Sequence, residues 1–553
     1  MKKKILFISF YGRIGLGNRI LSSILKKRGH ETFLLFIKED RSLLVDSPNN
    51  ETEQFQFLDP SRGAGFYGTG IDVNPLTVSE INIIAEKAKE IFPDVIALSS
   101  RSAHKRLSKQ ITEKLRKVLP LSRFIAGGYG PSLEPAYFLT FVDFVCIGKG
   151  GQAIIDFVEK ENPSNCSNIA SIKDGKLNVV PPNDNIDFAA PSFLDWEPKN
   201  KYIVEDNELH ALEKGFDPLN YVTIASEGCP STCTFCQACQ WPRIYRMYGG
   251  NAKKVEMRRP GSVIEELVFV KKNYNIANVS FMDSIFTWNK KWLNKFLNLY
   301  EKEVRLPFNC YVDSRFTTIN QLNRLINCGL YSCSIGIQSA DERIRKDVMG
   351  RNESNDNLLQ FAKMIHSFGI KFTYDIILWN PFENEITLKN GIGLLEKLPK
   401  SNRIFIYQLK FFPGSEILEL YNRINPTLLN DKDFVFWSWI YVMILRSEET
   451  EKTAKNIIIK SQYRSNPYLL RDIYVNIVNN IKDIEKLFTI RDIKKGEKLR
   501  PTMYIEKSCK NTNAVDGEQR HAITGKIAKH DIPSGVFLKY DDFYVSYEEH
   551  RAF

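Results

Sequence analysis

The chain has 553 residues, 43% of them hydrophobic and 25% charged, with a net charge of +11. At about 100 to 200 residues per domain it is too long for one compact core, and its balance excludes a disordered or fibrous chain. The positive surplus is spread out and forms no long basic block, so it suits anionic ligands, and nucleic acid is not an expected partner.

The start, MKKKILFISFYGRIG, carries the charges of a secretory signal. Its apolar run from Ile5 to Phe10 is six residues, short of the roughly 7 to 15 that a signal needs, and it reads as a first buried strand. The longest apolar stretch, Phe434 to Leu445, is far below the roughly 18 residues of a membrane span. A cytoplasmic protein without a membrane partner is expected.

Residues 1–160 alternate strands (KILFISF, TFLLFI, DVIALSS, RFIAGG, DFVCIG) with stretches of helical spacing (GNRILSSILKKRGH, HKRLSKQITEKLRKVLP). That alternation predicts a parallel sheet covered on both faces, with ligands beyond the carboxyl ends of its strands. Those ends carry Gly12, Gly15 and Gly17, then Ser99 and Ser100, then Gly127, Gly128 and Gly130, then Gly148, Gly150 and Gly151. Four successive ends of this kind predict an open ledge for a large ligand; plain tight turns are the alternative.

Residues 161–218, rich in Asn, Pro, Asp and Ser, read as a connector. Over 219–425 the alternation returns in six strands (YVTIAS, NVSFMD, FNCYVD, YSCSIGIQ, FTYDIIL, IFIYQLKFF), which predicts a partial (β/α)6 barrel of the TIM type with its chemistry at the strand carboxyl ends. Residues 426–485 read as a helical segment whose Phe434, Phe436, Trp437, Trp439 and Tyr441 enter a core. Residues 486–553 repeat an Asp-Ile-x-x-Gly pattern, Asp492-Ile493 with Gly496 and Asp531-Ile532 with Gly535, and read as a small β-rich module.

Chemistry concentrates in SEGCPSTCTFCQACQ, residues 226–240, with Cys229, Cys233, Cys236 and Cys239. Thiols in a reducing compartment stay free, so a tight cluster points to metal. Zinc ribbons pair two CxxC units across roughly 12 to 20 residues, and no second pair follows here. Closely spaced thiolates suit an iron–sulfur cluster. Cys233, Cys236 and Cys239 match a ferredoxin run; Cys229-x3-Cys233-x2-Cys236, with Phe235 before the last, is the other parse. Cys146, Cys166, Cys310, Cys328, Cys333 and Cys509 are scattered and read as core residues.

The second parse, placed after the first barrel strand, resembles the radical S-adenosylmethionine (SAM) superfamily. The resemblance implies that Cys229, Cys233 and Cys236 hold a [4Fe-4S] cluster and leave one iron to SAM, with Cys239 a neighbour without a ligand role. An electron from the cluster then cleaves SAM to a 5′-deoxyadenosyl radical. A Rossmann-like domain followed by this barrel is similar to the cobalamin-binding radical SAM enzymes. FIAGGYGPS and DFVCIGKGGQAI stand at two of that family's ledge motifs, with Tyr129 and Gly130 where His is common and Lys149 and Gly151 replacing two acidic residues. No Asp-x-His-x-x-Gly motif is present, so no His ligand from that motif is implied.

By this resemblance Gly12, Gly15, Gly17, Ser99, Ser100, Gly127, Gly128 and Gly148 would line cobalamin. Phe235, Asp283, Ser284, Gln338, Ser339 and Arg351 would lie near SAM, with Gln338 where Glu is usual, which keeps hydrogen bonding and loses charge. The backbone of Pro413 and Gly414 would neighbour the adenine. The terminal module resembles the SAF (antifreeze-like) domain of sialic acid synthases, which turns the expected substrate toward a sugar or sugar derivative. The implied function is cobalamin-dependent C-methylation of an unactivated carbon of a small molecule, fed electrons by a flavodoxin- or ferredoxin-like reductant. Two alternatives stay open: a non-methylating radical oxidation or rearrangement, and an iron–sulfur electron carrier or cobalamin-binding regulator without turnover. No catalytic side chain is implied beyond these.

Overall fold

The computed structural model describes residues 2–12, 14–38, 64–67, 75–183, 194–212, 220–274, 276–401, 403–426, 429–460, 462–467, 469–481, 484–489, 492–497, 499, 504–509, 528–533 and 538–539. Its first ten strands are β1 (Lys4–Phe10), β2 (Glu31–Ile37), β3 (Ala64–Tyr67), β4 (Val95–Ser99), β5 (Arg123–Gly127), β6 (Phe144–Cys146), β7 (Ile169–Lys173), β8 (Lys176–Val179), β9 (Lys201–Glu205) and β10 (Glu208–Ala211). Nine of them form one sheet in the order β10-β9-β2-β1-β4-β5-β6-β7-β8. Its centre, β2-β1-β4-β5-β6, is parallel and has the doubly wound 2-1-3-4-5 order, with the switch point between β1 and β4. Alternation along β1 sends Leu6, Ile8 and Phe10 into one core and Ile5 and Phe7 into another, so both faces are covered.

The stretch 161–218, expected to be a connector, instead supplies β7 to β10 at the two edges of this sheet. Each edge is a hairpin on a two-residue turn, Asp174-Gly175 or Asp206-Asn207, all with φ between 52° and 73°. Such turns match the twist of the strands they join.

The later strands are β11 (Asn220–Thr223), β12 (Ser226–Gly228), β13 (Val255–Met257), β14 (Asn278–Phe281), β15 (Phe308–Val312), β16 (Leu330–Gln338), β17 (Lys371–Trp379), β18 (Arg403–Gln408), β19 (Ile484–Thr489) and β20 (Tyr504–Cys509). The order β11-β14-β15-β16-β17-β18 makes a curled, parallel half-barrel. A seventh strand comes from far upstream: β3 lies parallel to β18, Ala64 opposite Ile404 and Tyr67 opposite Tyr407. The outward side chains of the barrel strands and those of its helices share one core with Phe434, Phe436, Trp437, Trp439 and Tyr441 of the helix Asp431–Arg446.

Most of the terminal module, 486–553, lies outside the described residues. Within them the two Asp-Ile repeats face each other: Ile493 and Ile532 exchange a pair of 2.8 Å backbone hydrogen bonds. Among the described residues no helix is long and apolar enough to cross a membrane.

Candidate active site

Directly after β11 the chain turns into the β12–β13 hairpin, and the four cysteines occupy its connection. Gly228 enters it at φ 88°, where a Cβ would stand 2.3 Å from the Lys254 carbonyl oxygen; only glycine fits. The Cys229 amide donates to that same oxygen at 3.2 Å. Further along, the Thr234 amide donates to Met349 (3.1 Å), its hydroxyl to Val348 (2.6 Å), and its carbonyl accepts from the Ile417 amide (3.3 Å). Phe235 packs into an apolar cluster with Met349, Ile377, Phe382, Leu409 and Ile417. The loop is thus stitched to two barrel segments.

Cys229 and Cys233 are buried, while Cys236 and Cys239 are half-buried. Burial pushes the Cys229 thiol up to about 12. The Cys239 contact holds Cys236 down at about 7, and the same contact, with burial, keeps Cys239 well above the usual range. The Cys239 thiol donates to the carbonyls of Cys233 (3.0 Å) and Cys236 (3.1 Å), so it braces the loop as a protonated group. Among the described residues no three His, Cys, Asp or Glu side chains converge as a single metal ion would need. A cluster gives each thiolate its own iron and needs no such convergence.

Arg351 lies beside these thiols. Burial works against its charge, but Asp313, Cys233 and Glu353 outweigh that and raise its pKa. Its Nη2 donates to the Gly336 carbonyl (3.1 Å), Asp313 (3.2 Å) and Glu353 (3.4 Å), while its Nε is buried and has no partner among the described residues. A buried, unpaired guanidinium N–H next to the cysteine loop fits the carboxylate of an amino-acid-bearing ligand. Gln338 ends β16 at φ 65°, and its side chain folds over Gly336, where a Cβ would meet Nε2 at 2.3 Å. Ser339 donates to Glu383 at 2.5 Å rather than facing open space. Asp283 is also turned to the backbone: its carboxylate accepts from the Ala225 amide (3.1 and 3.0 Å) and the Ser226 hydroxyl (2.5 Å), and burial raises its pKa to about 6.

A cavity of about 630 Å³ runs from the glycine ledge to the cysteine hairpin. Gly17, Ser99, Gly127, Gly128 and Gly148 line it from the first sheet, and Ser226, Glu227, Trp241, Arg258 and Ser284 from the barrel side. Gly12, Gly15 and Ser100 do not line it. Gly12 donates to Lys38 (2.9 Å), Gly15 caps the helix Leu16–Lys27 against Phe36 with φ 48°, and Ser100 is tied to Gly127 and Ser108 (both 2.9 Å).

Two residues at the ends of the first sheet's strands, Tyr129 and Lys149, bind the sheet to the barrel side. Tyr129 stacks on Trp241 with ring centroids 4.3 Å apart. Lys149 pairs with Glu256 and, at 3.7 Å, with Glu227, and its amide donates to the Tyr245 hydroxyl at 3.0 Å. Lys149 thus meets an acidic face of the cysteine hairpin. Trp241, Glu227 and Arg258 were not singled out from sequence; Trp241, two residues past Cys239, was the readable one.

Residues 223–392 match the model of the Radical SAM superfamily. This is a radical SAM domain. Such a domain implies an enzyme with a [4Fe-4S] cluster and SAM, and Cys229, Cys233, Cys236 and the orphaned Arg351 Nε fit both.

The chain is 25% identical over 417 residues to an uncharacterized methyltransferase of Pyrococcus horikoshii, covering 72% of this chain and 84% of that one. It is 24% identical over 327 residues to an anaerobic magnesium-protoporphyrin IX monomethyl ester cyclase of Rubrivivax gelatinosus, 54% of each chain. Among solved structures, the fold is similar to that of the cobalamin-dependent SAM radical enzyme OxsB with aqua-cobalamin and SAM bound. That match has 15% identity, a TM-score of 0.52, and covers 78% of this chain and 56% of that chain. It is also similar to the radical SAM methyltransferase TsrM of Kitasatospora setae with tryptophan substrate and a SAM analog bound (13% identity, TM-score 0.54, 76% of each). The chain spans about half the length of the cyclase and of OxsB.

Proposed function

We propose that this protein is a cobalamin-dependent radical SAM methyltransferase acting on an unactivated carbon of a small molecule. The observation that carries the reading is the single cavity shared by the glycine ledge and the cysteine hairpin. The names of the Pyrococcus horikoshii relative, of OxsB and of TsrM support it. When bound, the cluster and SAM supply the radical chemistry and cobalamin the methyl group.

Cys229, Cys233 and Cys236 would hold the cluster, and Arg351 and Gln338 would orient SAM through hydrogen bonds. The ledge of Gly17, Ser99, Gly127, Gly128 and Gly148 lets backbone approach the flat cofactor, and Tyr129 on Trp241 keeps water from the passage toward the cysteines. We extend the reading to a sugar-derived substrate on the strength of the paired Asp-Ile repeats, to a flavodoxin- or ferredoxin-like electron donor, and to the cytoplasm. A non-methylating radical oxidation is the second reading, favoured by the likeness to the cyclase.

The test is anaerobic. The cluster is reconstituted, SAM, hydroxocobalamin and a strong reductant are added, and 5′-deoxyadenosine and cobalamin retained through desalting are measured. Both together support methylation chemistry. 5′-Deoxyadenosine without retained cobalamin leaves the second reading, and neither product from a chain with an intact cluster sinks both.

A further inference from the structure

The chain that leaves the cysteine turn also returns to it. The 3-10 turn Gln237–Cys239 runs into the helix Trp241–Met247, and the Gly250 amide donates back to the Tyr245 carbonyl at 2.9 Å. Further along, the Lys254 carbonyl accepts from the Cys229 amide at 3.2 Å. The stretch from Gly250 to Lys254 spans at most about 14 Å. Lys253 and Lys254 therefore stand close to the helix end that carries Arg246 and Met247.

The charge of this stretch is one-sided. Residues 240–254, QWPRIYRMYGGNAKK, hold Arg243, Arg246, Lys253 and Lys254 and no acidic residue. Arg243 is offset by Glu419 and, at 3.8 Å, by Glu416. Lys253 is exposed and leans on Glu256 at 3.8 Å, but Lys149 sits closer to that carboxylate. Arg246 and Lys254 are exposed and form no ion pair among the described residues. Met247 adds an exposed apolar side chain beside them. None of Arg246, Met247, Lys253 and Lys254 lines the cavity between ledge and hairpin, so this surface is separate from the ligand space. The other exposed flank of the loop is different. There Thr232 rests on Gly350 (3.3 Å), and the neighbouring exposed charges, Arg343 and Asp347, have opposite signs.

We propose that Arg246, Lys253 and Lys254, with Met247, form the docking surface for an acidic one-electron carrier protein that reduces the cluster. The inference rests on the radical SAM reading, which puts an iron on Cys229. Each encounter moves one electron and no atoms: the carrier's cofactor is oxidised by one electron and the cluster is reduced by one. The hydrogen bond from Cys229 to Lys254 makes this surface contiguous with a cluster ligand. Redox encounters use small interfaces, below about 1,200 Å², so a few cations and one methionine suffice. Opposite charge speeds such encounters and makes them salt-dependent. A flavin-carrying flavodoxin and a [2Fe-2S] ferredoxin share this chemistry.

The test uses the full chain with its cluster reconstituted, as wild type and as two double variants. One is Arg246→Gln with Lys254→Gln, which keeps the carbonyl that Cys229 uses. The other is Arg246→Gln with Lys253→Gln, which leaves Lys254 untouched. Iron content and circular dichroism check each fold. 5′-Deoxyadenosine formation from SAM is timed with dithionite, and separately with flavodoxin or [2Fe-2S] ferredoxin kept reduced by NADPH and a reductase. Dithionite rates are expected to stay at the wild-type level in both variants. With a carrier, the concentration giving half-maximal rate should rise about tenfold or more, and the fall in rate with added salt should flatten. The carrier that shows this difference identifies the donor's cofactor. If carriers drive the variants as well as wild type, or do not drive a wild type that dithionite drives, the surface is overturned. Equal losses with dithionite and carrier would make these side chains supports of the cluster and overturn it too. Failure of the broader reading is distinct: wild type with an intact cluster then forms no 5′-deoxyadenosine even with dithionite.

Discussion

Tyr129 and Trp241 lie face to face, 4.3 Å between centroids and 20° between planes, one at the end of β5 and the other just past the cysteine loop. Both line the cavity, so this stack is a wall that the first sheet and the barrel build together. Stacked aromatic pairs contribute about 0.5 to 1.5 kcal/mol beyond their buried area. Trp241→Ala removes the ring's buried area as well, so it is expected to cost more than that, up to about 3 kcal/mol, and to open the cavity toward the cysteines. Cobalamin retained after desalting should fall several-fold while iron per chain stays at the wild-type level. Equal losses of both would instead place Trp241 in the support of the cluster.

Glu383 sets up a pH dependence. Burial raises it to about 7, against its hydrogen bonds from Ser339 and Thr387. Its folded pKa lies above its unfolded one, so between about pH 4.5 and 7 the native chain holds more protons than the unfolded chain. Stability therefore falls as pH rises through that window, and Asp283 and Asp375, raised to about 6 and about 7, act in the same direction. Glu383→Gln keeps the acceptor for Ser339 and removes one titration. The difference in urea midpoint between about pH 5 and pH 7.5 should shrink, by on the order of 2 kcal/mol of unfolding free energy. An unchanged difference would show that Glu383 does not titrate there.

The cysteine loop gives a sharper contrast. Cys236 precedes a 3-10 turn that ends at Cys239, and the Cys239 thiol is already engaged as a donor to two carbonyls. Cys236→Ala is expected to lose the cluster chromophore and all 5′-deoxyadenosine formation. Cys239→Ala should keep both and lose about 0.5 to 1.5 kcal/mol of stability from the missing braces. Iron and sulfide analysis after anaerobic reconstitution decides it; loss of cluster in Cys239→Ala would make that residue a ligand.

What the chain reveals on reading follows from how local each signal is. Parallel strands buried on both faces are continuous apolar runs, so Ile5–Phe10 and Phe33–Ile37 declare themselves. The cysteine spacing is local too. The edge hairpins were hidden because β10 is exposed throughout and β8 has no buried residue, leaving only the Asp-Gly and Asp-Asn turns as a signal. β3 was hidden for another reason: Ala64–Tyr67 has no periodicity, and its partner β18 lies more than 300 residues later. Glycines are ambiguous by nature. Gly15 serves a left-handed helix start and Gly128 a cavity wall, and both have positive φ, so sequence alone cannot separate turn from ledge.

Arg258 carries the last prediction. Its Nη2 donates to Glu266 at 2.7 Å, and Glu266, fully buried, also accepts from the hydroxyls of Tyr221 (2.9 Å) and Thr223 (2.7 Å). The pair ties β11 and the helix Pro260–Asn273 to the strand that closes the cysteine hairpin. Removing one partner of a buried ion pair leaves an uncompensated charge, at about 3 to 5 kcal/mol. Arg258→Ala should therefore lower the urea midpoint strongly and reduce the cluster that reconstitution installs. Replacing both partners by apolar residues, Arg258→Met with Glu266→Leu, removes the stranded charge and should recover much of the stability, though Tyr221 and Thr223 then lose their acceptor. If the double variant is as unstable as Arg258→Ala, packing around the guanidinium rather than the stranded Glu266 charge sets the cost.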